Sequence, residues 1–166
     1  MVEINDGFFD NCRKSGQGFY QIKSWPKDNY SIVLSFQITT SGREQLFLNR
    51  IKNEKRERGV EIPLNLAQEV GRWLFKQTSS DAYQKGGCNQ EERGKLGDYT
   101  FETIKKFKVN TEKSITLKLM HSFRETKYFL NIENEFDTNK FQRGVEIPLD
   151  FVEQIGRYLE VIPTMV

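Results

Sequence analysis

Apolar and polar residues alternate most regularly between Ser31 and Thr39, where Ile32, Leu34, Phe36 and Ile38 interleave with Ser31, Val33, Ser35 and Gln37. A period of two marks a half-buried strand. Weaker alternation predicts a strand from Phe19 to Trp25, ended by the turn signal Pro26-Lys27-Asp28-Asn29. Another runs from Gln45 to Ile51, after the turn Thr40-Ser41-Gly42-Arg43, and the charged loop 52–57 follows it. A fourth contains Val60 and Ile62 and stops at Pro63, which holds the residue before it extended and cannot join a ladder itself. The period then changes: Leu66, Val70 and Trp73/Leu74 fall on one apolar helix face. Asn65 is the expected N-cap, with Gln68 completing a capping box.

The chain then repeats itself. RGVEIPLNLAQEVGRWL (residues 58–74) returns as RGVEIPLDFVEQIGRYL (residues 143–159), an ungapped offset of 85 with exchanges such as Asn65/Asp150, Val70/Ile155 and Trp73/Tyr158. A duplication sets the unit of folding. The strands predicted ahead of the second phrase are Tyr99–Lys108, Ser114–His121 (Ile115, Leu117 and Leu119 alternating) and Lys127–Ile132, with the loop before the phrase three residues longer than its counterpart. Phe151, Ile155 and Tyr158/Leu159 line the second helix, with Asp150 and Glu153 at its expected cap. The expected organisation is an N-terminal extension (1–17, with Phe8 and Phe9), a first repeat (18–76), a polar, Gly-rich linker (77–98) and a second repeat (99–162). The fold class is α+β: two β-β-β-β-α repeats forming one globular domain.

A helix covers one face of each sheet, so strand residues divide between a covered and an open face. Ile32, Leu34, Phe36, Ile38, Leu46 and Leu48 read as covered, as do Ile115, Leu117, Leu119, Leu130 and Ile132. Val33, Ser35, Gln37, Phe47 and Asn49 then face away, with Thr116, Lys118, Met120, Lys127, Phe129 and Asn131 in the second half. With Ile22 and Ile104 covered, the open face also takes Phe19, Gln21, Lys23 and Trp25, and Phe101, Thr103, Lys105 and Phe107. Rings interleaved with Lys, Asn, Gln and Ser suit a single-stranded nucleic acid, whose bases stack for about 1–3 kcal/mol each. The same pattern equally suits a buried interface with a second sheet or subunit.

Charge and composition narrow the function. A net charge of +2 is too small for a polyanion partner to follow from total charge, so local pattern has to carry that argument. Aromatic residues make up 13% of a chain with mean hydropathy −0.65, more than a modest core needs. No secretory leader or membrane-spanning run is evident, and an intracellular protein is expected. Cys12 and Cys88 lack metal-ligand spacing and read as reduced thiols. His121 is the sole histidine; Lys85-Gly86-Gly87 lacks a P-loop's context; Glu91-Glu92 sits in the linker. No catalytic residue, metal or cofactor is expected, and the protein is read as a non-enzyme. Within 50–58, Arg50, Lys52, Lys55, Arg56 and Arg58 are candidates for phosphate contact.

Four strands then a helix, stated twice, with RGVEIPL in the place of a Lys/Arg-Gly-apolar strand leading into the helix, resembles the PC4/whirly/PUR group of single-stranded nucleic-acid-binding proteins. The resemblance covers most of residues 18–160 and is nearer the PUR and whirly arrangement, with two units per chain. It implies curved antiparallel sheets backed by helices about a pseudo-twofold axis. It also implies binding of single-stranded DNA or RNA through the strands, and a role in transcription or nucleic-acid metabolism. The expected contact residues are Phe19, Lys23, Trp25, Phe47, Asn49, Arg50, Lys52, Phe101, Lys105, Phe107, Lys118, Lys127, Phe129 and Asn131. A homodimer or higher oligomer is compatible with it. The alternative is a protein-interaction or oligomerisation module that binds no nucleic acid.

Overall fold

The computed structural model describes residues 2–79, 93–96, 99–122, 124–136 and 143–166. It is an α+β structure with two antiparallel sheets. The first contains β1 (Gly18–Lys27), β2 (Tyr30–Ile38), β3 (Glu44–Lys52) and β4 (Lys55–Pro63) in sequence order. The second contains β5 (Arg93–Leu96), β6 (Tyr99–Lys108), β7 (Lys113–His121), β8 (Thr126–Asn134) and β9 (Gly144–Pro148), also in order. Among the described residues there are three α-helices, α1 (Phe8–Ser15), α2 (Leu64–Lys76) and α3 (Leu149–Met165), and none is long and apolar enough to cross a membrane.

The residues expected under the helices are there. Ile32, Leu34, Phe36, Leu46, Leu48, Ile115, Leu117, Leu119 and Leu130 are all buried in one continuous core, and Ile132 packs against it. α2 and α3 pack chiefly on each other, crossing where Gly71 meets Gly156. A Cβ on Gly71 would lie 2.5 Å from the Gly156 carbonyl oxygen and 2.6 Å from the Glu160 nitrogen, so glycine is what allows the helices to approach this closely. Each helix also reaches the sheet of the other half. Trp25 Nε1 on β1 donates to Gln154 of α3 (2.9 Å), while the Tyr128 hydroxyl on β8 donates to Gln77 just beyond α2 (3.4 Å). The two halves therefore share a single core.

One element lies outside the expected ones, and three expectations are corrected. The N-terminal extension holds a helix, α1, whose Phe9 and Cys12 enter the core and whose Arg13 clamps Glu44 with bonds of 2.6 and 2.9 Å. Asn65 and Asp150 are not N-caps: α2 and α3 start two residues earlier than those caps would allow, with Pro63 and Pro148 at the cap position and no side-chain cap bond. The loop 52–57 is a tight hairpin, because Asn53 (φ 52°) and Glu54 (φ 63°) take the left-handed conformations of a two-residue turn. In the expected linker, Gln77–Ser79 form a 3-10 turn and Arg93–Leu96 form the edge strand β5, paired with Tyr99–Glu102. Residues 80–92, including Lys85-Gly86-Gly87, Cys88 and Glu91-Glu92, lie outside the described residues, as does part of the longer loop before β9.

Candidate nucleic-acid interface

Strand register decides which side chains share the open faces, and bulges decide the register. In β1, Gln21 pairs with Ser35 but Lys23 pairs with Leu34, so Ile22 is an extra residue. In β6, Thr103 pairs with Lys118 and Lys105 with Leu117, which makes Ile104 extra. One inserted residue reverses the alternation beyond it. Phe19, Gln21, Phe101 and Thr103 keep the open face, whereas Trp25 falls opposite Ile32 and Phe107 opposite Ile115. Trp25 (3% exposed) and Phe107 (2%) are core residues, and their assignment to the open face is corrected. Trp25 packs edge-on against Tyr158 at 5.5 Å. Lys23 and Lys105 move with them to the helix-side phase, and Lys105 Nζ lies 5.3 Å from the Trp73 ring of α2.

A third bulge shapes the first face. Asn49 pairs with Gly59 and Ile51 with Arg56, so β4 carries one residue more than β3 between these pairs. Without the extra residue, Glu57 would stand opposite Ile51 on the open face. With it, Arg56 takes that place, and Glu57 turns to the helix side to accept a 2.7 Å bond from Arg50 Nε. Arg50, which also lies 5.3 Å from the Tyr30 ring, and Lys52, opposite Tyr30, are thus not on the face with Phe47. Arg58 is described in its backbone alone.

The first open face is centred on three side chains. The Phe19 and Phe47 rings meet at 5.2 Å with an interplanar angle of 60°, and the Arg56 guanidinium sits 4.3 Å from the Phe19 ring centre. Phe19 belongs to β1 and Arg56 to β4, the two edges of the sheet. On a flat sheet their positions would be about 25 Å apart diagonally, so their contact requires the sheet to curl with this face concave. Ser35, between β1 and β3, is small enough to lie beneath the rings and is buried. Around them stand Gln21, Glu61 and the amide pair Gln45–Gln37, bonded at 2.8 Å. Asn49 is on this face but buried, close against the glycine of the RGV phrase: a Cβ on Gly59 would collide with the Leu48 carbonyl and Asn49.

The second open face differs in chemistry. Phe101, Lys118, Lys127, Phe129 and Asn131 share it as expected, but Lys106, Lys118 and Lys127 on it are bound to carboxylates, while Lys108, opposite Ser114 at the end of β6, is on the same face and exposed. Lys118 Nζ donates to Glu133 at 2.6 Å and lies 4.9 Å from the Phe101 ring. Lys106, brought to this face by the β6 bulge, lies 3.4 Å from the same glutamate. Lys127 bonds Glu146 (2.7 Å) and Glu125 (3.2 Å). Burial pushes the Glu133 carboxyl up, but the Lys118 bond and the Lys118 and Lys106 charges outweigh this and hold it below its ordinary value. Asn131 is fully buried, with Gly144 opposite it.

Sequence reading missed Arg56 as the cation on the rings, although it stood among the candidates of 50–58, and missed Lys106 and Glu133 altogether. Period-two alternation carries no sign of an inserted residue, so nothing in it pointed to these positions. His121, at the end of β7, shares a 2.7 Å hydrogen bond with Thr126 and has no cluster of metal-ligating side chains around it among the described residues. Comparison of the chain with protein-family models and with curated proteins found no match in either.

Proposed function

We propose that this chain is a pair of β4-α repeats in a whirly/PUR-like pseudo-twofold arrangement, and that it binds single-stranded DNA or RNA through the concave face of β1–β4. The observation that carries the reading is the Phe19–Phe47 pair with Arg56 over it: two rings and a guanidinium on an open concave face, outside the core. Bases stack on such rings whatever their identity, and a guanidinium adds both stacking and phosphate contact. Support for the duplicated arrangement comes from two antiparallel meanders, bulges at Ile22 and Ile104, and helices crossing at Gly71 and Gly156. The reading is of an intracellular regulator of transcription or nucleic-acid metabolism, not an enzyme.

The test is fluorescence anisotropy of labelled single-stranded and duplex oligonucleotides. Single strands should bind more tightly than duplex, and Phe19→Ala or Phe47→Ala should each weaken them by about 1–3 kcal/mol while leaving the melting temperature nearly unchanged. Absence of binding even at low salt would end the reading. The ion-paired second face favours one other reading, a protein partner or second copy seated there. A stable oligomer that binds no oligonucleotide would support that reading instead.

A further inference from the structure

We infer that a strand lying on the Phe19–Phe47 face continues into the cleft between the two halves, where Arg43 and Lys113 take its phosphates, and does not cross the open face of the second sheet. This rests on the binding proposed above and adds the path and its cations.

The cleft has a volume of about 440 Å³ and is walled by the β2–β3 turn and the β4–α2 junction of one half and by the β6–β7 turn of the other. That volume lies within the range of about 300–1,000 Å³ typical of ligand sites. It opens directly from the concave face, because Gln45 and Glu61 line both. Arg43 is four residues from Phe47, about 13 Å along an extended chain, and Lys113 stands on the wall contributed by the second half. Both are exposed, and among the described residues neither side chain makes a hydrogen bond or ion pair. Asn110 uses its Oδ1 to accept from the Glu112 and Lys113 backbone N–H groups at 2.8 Å, which leaves its amide N–H groups to donate. Of the two glutamates in the cleft, Glu44 is neutralised by Arg13, whose hydrogen bond lowers its pKa.

The alternative path is electrostatically hindered across the middle of the second sheet. A phosphate over β6–β8 meets Lys118 and Lys106 already shared by Glu133, and Lys127 already held by Glu146 and Glu125. It would have to displace carboxylates bonded at 2.6 and 2.7 Å, and would release no counterions from lysines that the protein itself has neutralised. Arg43 and Lys113 carry no such cost. Two cations at the cleft without a partner among the described residues, against paired lysines over the middle of the second sheet and Lys108 alone at the end of β6, therefore favour the cleft as the strand's direction.

The experiment measures binding of a fluorescein-labelled oligothymidine as a function of salt, for the full chain and for Arg43→Gln/Lys113→Gln. Each lost phosphate contact should reduce the slope of log K against log salt by about 0.7 on a single strand, hence by about 1.4 for the pair. The loss should appear with a long oligonucleotide and not with one short enough to cover the rings alone. The control is Lys127→Gln/Glu146→Gln, which removes an ion pair of the second sheet without changing net charge and should leave affinity and slope unaltered. An unchanged slope in the cleft variant, or a reduced slope in the control, overturns the inference. So does equal competition by inorganic phosphate at matched ionic strength, which would make the cleft a site for a free anion. Phe19→Ala and Phe47→Ala separate the two levels. If they bind as wild type, the parent reading fails; if they weaken binding while the cleft variant keeps its slope, only the path is wrong.

Discussion

Trp25 and Phe19 stand on the same strand, and the bulge at Ile22 gives them opposite fates. Replacing Trp25 by Ala removes a ring that is 3% exposed, packed edge-on against Tyr158 and bonded to Gln154. A buried aromatic cut to Ala costs about 3–5 kcal/mol. For a chain of this size each kcal/mol lowers the melting temperature by about 2–4 °C, so a fall of roughly 6–20 °C is expected. That is a large part of the total stability of a typical domain, about 5–15 kcal/mol, so Trp25→Phe provides a milder companion. It keeps most of the buried ring and loses the N–H bond, worth about 0.5–1.5 kcal/mol, with the reduced ring volume adding to this. Thermal and urea melts measure both variants, and oligonucleotide affinity is read per folded molecule. Trp25→Ala should melt early and, where folded, bind like wild type; Phe19→Ala should do the reverse. If Trp25→Ala weakens binding and melts normally, Trp25 is on the open face and the bulge assignment is wrong.

Two further outcomes follow from the packing and the charges. Gly71→Ala gains roughly 1 kcal/mol of helix propensity, but its methyl group would strike the backbone of α3, so a net loss of about 1–3 kcal/mol is expected in a thermal melt; a stabilised variant would refute the close crossing. Because the Glu133 carboxyl is held below its ordinary value, the folded state binds that proton less readily than the unfolded chain. Its contribution is complete above the ordinary glutamate value of about 4.3 and is lost as pH falls through the folded value. Glu133→Gln should therefore melt lower than wild type near neutrality and lose less on acidification, and parallel melting curves across that range would refute the Lys118–Glu133–Lys106 cluster.

Much of the architecture is fixed by local pattern. Alternation in 31–39 and 114–121 selects Ile32, Leu34, Phe36, Ile115, Leu117 and Leu119 for the core, because a strand lying under a helix must turn every second side chain towards it. The change from period two to helical spacing after Pro63 and Pro148 places α2 and α3, and the Phe-Leu-Asn triplets put Phe47 and Phe129 on open faces. What the chain does across its length belongs to the tertiary structure. An inserted residue changes no composition and little local pattern, yet it reverses every side chain beyond it. Bulges therefore took Trp25, Phe107, Lys23 and Lys105 off the faces that alternation assigns them, and brought Arg56 and Lys106 on. Charge is decided in the same way: Lys118 and Lys127 look available in sequence, but their carboxylate partners on β8 and β9 become neighbours only when the sheet is paired. The concave shape that joins Phe19 to Arg56, and the cleft where Arg43 and Lys113 have no partner among the described residues, exist only because the sheet curls and the two halves close on a common core.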